Sequence, residues 1–438
     1  MLNFKEIAEF LGKETTYDAP IKRAVIDSRK VEKGDLFVAV HGERTDGNQY
    51  IEDALMRGAA AVIAETDYPG EDVIKVPNAV TAFGKAAKLR YLKHSVPVIA
   101  VTGSSGKTTT KDMIYYILSE KFRVRRAEGN HNNELGLPLT LFEMQNEDEI
   151  LDLEMGMYTF GEIRYLCSVV RPDIAVITNI GTAHIENLKS QENIFKAKME
   201  IAENLTKSDT LIVNGDDKFL KRLKYMDKFY KLITYGFDEN NDVRCIEYSN
   251  QVTCDFFGEQ KTFSVPLPGK HNVMNAMAAL SAAYVAGLNI DTAINGLQKF
   301  KTSEYRMEEK IIKGIDVIND VYNANPDSMK AALSVLGEKT GRKIAVLGDM
   351  LELGDESEKF HIETGEYARD KADYVITCGD KAKFIAQGFG KNYKIFTDKM
   401  ECADFLKKIL REGDTVLFKA SRGESFEKLV DFVFKDEV

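Results

Sequence analysis

The sequence predicts an α/β protein of three units, each built around a largely parallel sheet. With 438 residues the chain is too long for a single hydrophobic core. Short β-branched apolar runs alternate with helical patterns along its length, and this alternation favours parallel sheets covered by helices. We place the units at residues 1–95, 96–301 and 302–438, where the pattern of strands and turns changes.

Composition excludes several classes of protein. The net charge is −10, so the chain as a whole has no general attraction to nucleic acid or anionic lipid. No apolar run approaches the ~18 residues of a membrane span, and residues 1–11 lack the basic start of a signal peptide. Five scattered cysteines without C-x-x-C spacing argue against a disulfide framework or a zinc site. We expect a cytoplasmic protein, and we expect it to be a monomer.

The N-terminal unit and the central unit both alternate predicted strands with helical patterns. In the N-terminal unit, short strands closed by turn residues indicate a small α/β fold; they lie at residues 23–27, 35–40 and 60–64. The central unit starts with a strand near residue 96 and continues with apolar strands at residues 149–154, 174–178 and 210–214. Residues 231–265 predict several shorter β segments in an antiparallel appendage, and residues 271–300 predict a helical pair.

The C-terminal unit repeats the alternation of strand and helix. Its predicted strands lie at residues 315–319, 343–347, 372–377, 393–396 and 415–418. This order indicates a Rossmann-like sheet, but the unit contains no G-x-G-x-x-G, so we do not interpret it as a dinucleotide site.

The most specific motif is a strand, a glycine- and serine-rich loop and a Lys-Thr pair that opens a helix, at residues 98–110. Such a loop directs backbone N–H groups at an anion, and the helix N-terminus adds positive charge. We expect Lys107 to reach the terminal phosphates of a nucleotide and Thr108 to hold Mg²⁺. Val101 replaces the first glycine of the common pattern, so the loop is a shorter variant. The residues expected at the phosphates are Gly103, Ser104, Ser105, Gly106, Lys107, Thr108 and Thr109.

Polar residues follow the next two central strands. Glu154 ends one strand, and residues 178–186, with His184, follow the other. Because ligands collect beyond the carboxyl ends of parallel strands, we expect these side chains to converge with Thr108 on Mg²⁺. Considered alone, His184 is more typical of a hydrogen-bonded or capping histidine than of a ligand.

Two further segments have a structural and a functional interpretation. Residues 129–136 are rich in amides, which suit either a turn or a loop that grips a polar substrate. Residues 195–200 are typical of an exposed Lys/Glu helix face when considered alone.

The order of these segments resembles the Mur ligase family, ATP-dependent enzymes that form amide bonds in peptidoglycan synthesis. The similarity includes Lys198 with Glu200 and the run 269–275, and it spans essentially the whole chain. Residues 320–329 and 346–354, followed by His361, are similar to the member that adds D-alanyl-D-alanine to UDP-N-acetylmuramoyl-tripeptide. Asp27-Ser-Arg29 is similar to part of that member's nucleotide-sugar domain.

The resemblance implies a role for each matching residue. ATP and two Mg²⁺ ions are implied, one ion at Thr108 and Glu154, the other at His184 and a carbamylated Lys198. Lys107, Lys198, His184 and Arg306 would be catalytic, although Tyr305 precedes Arg306 where many relatives have glycine. Asn275 would contact adenine, and Asn325 would complete the ATP site when the C-terminal unit closes. The implied substrate contacts are Ser28, Arg29, Asn132 and Asn133.

The implied reaction passes through an acyl phosphate. A substrate carboxylate attacks the γ-phosphate of ATP, and the amine of D-alanyl-D-alanine then displaces phosphate. Two alternatives stay open at this point. One is a relative that adds another amino acid, or glutamate to folate; the other is a nucleotide-gated switch that hydrolyses ATP slowly and ligates nothing.

Overall fold

The computed structural model describes residues 2–42, 45–249 and 251–434, and its strands form four sheets within these ranges. The N-terminal unit holds a small antiparallel pair and a parallel sheet in the order β3-β4-β5-β6. Its strands are β1 (Leu2–Asn3), β2 (Pro20–Ile21), β3 (Ala24–Val25), β4 (Leu36–Val38), β5 (Ala61–Ala64) and β6 (Val73–Lys75). Its helices are α1 (Phe4–Phe10), α2 (Ile51–Met56) and α3 (Ala79–Leu92).

The central unit is built on a nine-stranded sheet with the order β15-β14-β13-β12-β11-β10-β7-β9-β8. The strands are β7 (Val98–Thr102), β8 (Val124–Arg126), β9 (Ile150–Glu154), β10 (Ile174–Ile177), β11 (Thr210–Asn214), β12 (Lys231–Gly236), β13 (Val243–Tyr248), β14 (Val252–Phe256) and β15 (Glu259–Phe263). The helices are α4 (Lys107–Leu118), α5 (Gly136–Phe142), α6 (Glu162–Val169), α7 (Ile185–Leu188), α8 (Gln191–Met199), α9 (Lys270–Val285) and α10 (Ile290–Leu297).

The strands in the middle of this sheet are parallel and fully buried. Every residue of β7, β9 and β10 is buried, as expected of strands covered by helices on both faces. The antiparallel part expected at residues 231–265 is narrower than predicted, because β12 and β13 pair in parallel and only β13, β14 and β15 are antiparallel. These outer strands alternate buried and partly exposed residues, and they extend the main sheet.

The C-terminal unit is a six-stranded sheet with the order β16-β17-β21-β18-β19-β20. The strands are β16 (Glu308–Ile312), β17 (Ile315–Asn319), β18 (Arg342–Leu347), β19 (Tyr374–Cys378), β20 (Tyr393–Phe396) and β21 (Asp414–Lys419). The helices are α11 (Pro326–Glu338), α12 (Ser357–Ala368), α13 (Lys383–Phe389), α14 (Lys399–Ile409) and α15 (Glu427–Phe434). Apart from the antiparallel β16, the sheet is parallel, as a Rossmann-like unit requires.

The central unit contacts its two neighbours in different ways. One apolar core runs through the N-terminal and central units, and Phe83 on α3 stacks on Phe142 on α5 with ring centroids 5.8 Å apart. The central and C-terminal units meet mainly through polar contacts, such as the bond from Thr182 N–H to Asp327 Oδ2 at 3.0 Å. No helix in the described ranges is long and apolar enough to cross a membrane.

Candidate active site

The loop between β7 and α4 is held in shape by glycine and by residues that follow β10. Gly103 has φ +152°, and a Cβ there would lie 1.8 Å from Thr178 Oγ1. Asn179 Oδ1 accepts bonds from the N–H groups of Ser104 and Ser105 at 3.2 and 3.0 Å. Only glycine fits position 103, because a side chain there would collide with Thr178, the residue that follows β10.

Lys107 stands at the first position of α4, next to the loop. Its Nζ donates to the carbonyl oxygen of Gly103 at 2.9 Å. Burial lowers the pKa of the Lys107 amine and Arg306 lowers it further, whereas Glu154 and Glu352 oppose the shift. The amine therefore lies against the loop, where it can contact an anion that the loop binds.

Thr108 and Glu154 face each other where α4 begins and β9 ends. Thr108 Oγ1 donates to Glu154 Oε2 at 2.6 Å, and both side chains are buried. The other carboxylate oxygen accepts a bond from Asn132 Nδ2 at 2.8 Å. The nearby Asn133 caps a turn instead, because its Oδ1 accepts the N–H of Gly136 at 2.9 Å. The amide-rich loop thus has both functions, a turn and a polar contact at the site.

Asn275 approaches the same loop from α9. Its Oδ1 accepts a bond from Thr110 Oγ1 at 3.3 Å, and its Nδ2 donates to Asn272 Oδ1 at 3.1 Å. A Cβ at Gly106, whose φ is +77°, would lie 2.5 Å from Asn275 Oδ1. The second glycine of the loop therefore allows α9 to pack close to the loop.

The C-terminal unit contributes to this site through residues near the ends of β17 and β16. Asn325 caps α11 and its Nδ2 donates to the carbonyl oxygen of Ser104 at 3.4 Å. The guanidinium carbon of Arg306 lies 3.8 Å from the ring centroid of Tyr322. Tyr305 has φ +63°, in the region that favours glycine, which agrees with a strained turn before Arg306.

His184 lies opposite Glu352 across the boundary between the units. Its Nδ1 is 2.6 Å from Glu352 Oε2, although without hydrogen-bond alignment. The Tyr158 ring packs edge-on, with centroids 4.9 Å apart. The contact with His184 lowers the pKa of Glu352, and both residues have positive φ, 62° and 63°. His184 occupies the N-cap position of α7, but its side chain makes no cap bond to the helix.

Lys198 on α8 is buried, with 2% of its surface exposed, whereas Lys196 is exposed. Burial and the nearby Lys107 lower the pKa of Lys198 well below its ordinary value, with Glu154 opposing. Throughout the described ranges its amine has no hydrogen bond and no ion pair. Glu200, also buried, accepts the N–H groups of Gly161 and Arg164 at 2.8 and 3.0 Å. The interpretation of residues 195–200 as an exposed face is therefore wrong.

The oxygen groups at this site suit Mg²⁺, which phosphate and water help to bind, better than a metal ion that is held only by protein side chains. In the part of the chain that is described, no three His, Cys, Asp or Glu side chains cluster as a metal site. Mg²⁺ characteristically takes one or two protein oxygens and completes its shell with phosphate and water. The paired oxygens of Thr108 and Glu154 beside a phosphate loop fit that requirement.

A cavity of about 470 Å³ joins these groups. Most of the residues expected at the site line it: Ser104, Ser105, Gly106, Lys107, Thr108, Thr109, Asn132, Asn133, Glu154, His184, Asn275, Arg306 and Asn325. Gly103 and Lys198 are not among the lining residues. Ser28 and Arg29 do not line it; they belong to the N-terminal unit, where Arg29 pairs with Asp27 at 2.9 Å.

Sequence reasoning missed several residues that organise the cavity. Asn179 lies within residues 178–186 and Glu352 within residues 346–354, but each contacts residues that are distant in the sequence. Lys419, buried at the end of β21, donates to Asp320 and to the carbonyl oxygen of Asn323, and Asp320 in turn accepts the N–H of Met307. A lysine that directly follows a buried apolar strand is the signal that could have identified it.

Comparison with known families matches nearly the whole chain. Residues 20–98 match the family described as Mur ligase family, catalytic domain. Residues 101–283 match the Mur ligase middle domain, and residues 305–422 match the Mur ligase, glutamate ligase domain.

Individual relatives agree with these matches. A protein of Bacillus subtilis named UDP-N-acetylmuramoyl-tripeptide–D-alanyl-D-alanine ligase is 41% identical over 97% of both chains. The Escherichia coli protein of the same name is 32% identical over 96% of this chain and 95% of its own. A crystal structure of MurF from Acinetobacter baumannii superposes with a TM-score of 0.92 at 30% identity, covering both chains fully. MurF from Thermotoga maritima in complex with ADP gives 0.87 at 33% identity, over 94% of this chain and 97% of its own. The chain belongs to the Mur ligase family.

Proposed function

We propose that this protein is an ATP-dependent ligase that joins D-alanyl-D-alanine to UDP-N-acetylmuramoyl-tripeptide during synthesis of the peptidoglycan precursor. The observation that carries the proposal is the cavity in which the Thr108–Glu154 pair, the glycine loop and Asn325 of the C-terminal unit meet. The names of the relatives that align along the whole chain supply the substrates.

The chemistry requires two anions to be brought together. The carboxylate of the tripeptide and the triphosphate of ATP repel each other, so positioning and positive charge dominate the barrier. The loop N–H groups and Lys107 of the central unit, and Arg306 of the C-terminal unit, supply positive charge at the cavity. Attack forms a bond from the carboxylate oxygen to the γ-phosphorus, and ADP leaves. The dipeptide amine then attacks the acyl carbon, loses a proton, and inorganic phosphate departs.

Exclusion of water protects the acyl phosphate between these steps. Asn325 and Asp327, at the start of α11, bond to the loop and to the segment after β10, and so bring the C-terminal unit over the site. We therefore assign the units 1–95, 96–301 and 302–438 to UDP-substrate binding, ATP binding and completion of the ligase site. Ser28 and Arg29 would contact the uridine nucleotide, and Asn132 and Asn133 the substrate.

Mg²⁺ would be held in two places. Thr108 and Glu154 would hold one ion, and His184 with Lys198 a second. When bound, the ions neutralise phosphate charge and orient the attacking oxygen. Lys198 fits this role only as a carbamate. A lowered pKa increases the neutral, nucleophilic fraction of the buried amine, whose nitrogen can add to CO₂ with loss of a proton to leave a carboxylate-like group.

The direct test is a product assay. Purified protein receives ATP, Mg²⁺ and UDP-N-acetylmuramoyl-tripeptide with each of several dipeptides, and product mass and phosphate release are measured. We expect ligation with D-alanyl-D-alanine, and phosphate release that depends on both substrates. Lys107→Ala should lose turnover while its thermal unfolding stays unchanged.

The two alternatives predict other outcomes in the same assay. Phosphate release that ignores both substrates would support a nucleotide-gated switch and contradict ligation. Ligation of a single amino acid, or of glutamate to folate, would place the protein with another member of the family.

A further inference from the structure

A strongly basic segment lies on the surface of this acidic protein. Residues 218–231, here called the basic-aromatic segment, contain six Lys or Arg residues and one carboxylate, Asp227, although the whole chain has a net charge of −10. The segment comprises a short 3₁₀ helix, Leu220–Tyr225, and the turn that leads into β12.

One of the six cations forms an ion pair in the described ranges, and Asp238 lies near two others, Lys224 and Lys221. Arg222 pairs with Glu192 at 2.9 Å. The five lysines form no ion pair with any carboxylate in the described ranges: Lys218, Lys221, Lys224, Lys228 and Lys231. Lys224 and Lys228 donate to backbone carbonyl oxygens, which fixes their position and leaves the charge in place.

Apolar side chains project from the same segment. Tyr225 is 89% exposed, Phe229 78% and Met226 52%, whereas Leu220 and Leu223 anchor the segment in the core. Three large apolar side chains exposed within five residues are unusual on a soluble surface, and together with lysines they match the composition of segments that enter the headgroup layer of a bilayer.

The segment runs from the cavity edge of the central sheet to the opposite edge. The phosphate loop and Glu154 follow the carboxyl ends of β7 and β9, whereas residues 225–230 precede the amino end of β12. β7, β10, β11 and β12 are parallel neighbours, so the segment begins beyond the carboxyl end of β11, where Asp217 accepts the N–H groups of Ile180 and Leu220, and it ends at the amino end of β12. Phe229 therefore lies toward the edge away from the cavity. Lys207, exposed in the turn before β11, lies at that same edge.

We propose that the basic-aromatic segment binds the protein to a membrane surface made of anionic phospholipids. The lysines attract the headgroups, and Tyr225, Met226 and Phe229 insert among them. Single-stranded nucleic acid is bound along a charged groove. Side chains that project this far from the surface suit a flat lipid interface better.

The test is co-sedimentation of the full chain with vesicles of phosphatidylcholine alone or mixed with phosphatidylglycerol. We expect binding to the mixed vesicles that weakens with salt. Tyr225→Ser with Phe229→Ser, and separately Lys218→Glu with Lys221→Glu, should each reduce binding about tenfold. Matched controls are Ile311→Ser, which removes an exposed apolar side chain from β16, and Lys407→Glu with Lys408→Glu on α14. The controls should bind like the parent, and all variants should keep the ligase activity in solution.

Three results would overturn the proposal. Equal binding to both kinds of vesicle would remove the anionic headgroup as the ligand. Unchanged binding in both segment variants would place the contact elsewhere. Binding to a single-stranded RNA oligonucleotide, without binding to mixed vesicles, would identify a nucleic-acid site instead. None of these results bears on ligation, which the product assay measures separately.

Discussion

At the scale of single residues, burial decides what Lys198 can do. An amine enclosed on α8 without a carboxylate partner loses solvation that no ion pair restores, so its neutral form is favoured. The neutral form is the one that reacts with CO₂, and the product has the charge that a site for Mg²⁺ needs. Solvation therefore links the position of this side chain to its proposed chemistry.

Replacement of Lys198 tests this directly. We expect Lys198→Ala to lower kcat by about 100-fold or more, because charge that supports phosphoryl transfer is removed. Added acetate or formate should restore part of the rate, since a small carboxylate can occupy the space. The measurement is steady-state ligation with and without the anion, and Lys196→Ala on the exposed side of α8 is the control. A fully active Lys198→Ala protein would contradict the carbamate.

His361 predicts a pH dependence of stability. Its Nδ1 donates to the Ser357 carbonyl at 2.7 Å, and its Nε2 accepts the Met350 N–H at 3.0 Å. Burial lowers the pKa of this imidazole below its ordinary 6.5. Below about pH 6.5 the imidazole therefore binds a proton more readily in the unfolded chain than in the folded chain. The free energy of unfolding falls as the pH drops from about 6.5 toward the pKa of His361 in the folded protein.

Urea unfolding of the parent and of His361→Gln would measure this effect. The variant should be less stable near neutral pH, because it loses both bonds. Its unfolding free energy should fall less than that of the parent between about pH 7 and pH 5, because the titrating group is gone. Equal pH dependence in the two proteins would show that His361 is not the group involved.

At the scale of elements, the turn from β7 into α4 is sensitive to a single methyl group. Gly103→Ala would combine a positive φ with a Cβ 1.8 Å from Thr178 Oγ1, so the loop must move. We expect a loss of about 2–4 kcal/mol in the free energy of unfolding and a loss of nucleotide binding. Gly12→Ala is the matched control, because Gly12 has φ +71° but no neighbour within 4 Å. It should cost only about 1 kcal/mol. Thermal melts and ATP titration would distinguish the two.

The elements that sequence predicted best were those with local signals. The strand, loop and helix around Lys107 follow from adjacent residues, and β17 and β20 have the bounds expected. The edge strand β16 was missed because three of its five residues are exposed. Considered alone, residues 195–200 suggested an exposed face, although Lys198 lies four residues after buried Ile194 and three before buried Ile201. Helical periodicity could have corrected that assignment.

Contacts between units were beyond local reasoning. Glu352 meets His184, and Asp327 meets Thr182, across more than a hundred residues of sequence. No periodicity encodes such pairs, because they depend on how one folded unit docks on another.

At the scale of the whole molecule, closure over the cavity depends on a few polar contacts. Asp327 Oδ2 accepts the Thr182 N–H at 3.0 Å and lies 3.4 Å from its hydroxyl. We expect Asp327→Ala to lower kcat/KM for ATP about tenfold, the usual effect of losing a hydrogen bond to a charged group. The melting temperature should stay unchanged, since Asp327 is exposed.

Small-angle scattering would show whether closure is the step affected. The parent should become more compact when an ATP analogue and the tripeptide substrate are added, and Asp327→Ala should compact less. Asp355→Ala, an exposed carboxylate of the same unit, is the control and should behave like the parent. No compaction of the parent would contradict closure altogether.

The difference between the two interfaces, one apolar and one polar, has a pharmacological consequence. Because the first two units share one apolar core, we expect them to move as one body, and we expect the third, which is held by polar contacts, to move against them. A small compound bound in the polar interface between the central and C-terminal units would hold the C-terminal unit in its open position. It would slow turnover without occupying the pocket of ATP or of either peptide, and because those ligands favour the closed form, the compound and the substrates would weaken each other's binding by linkage.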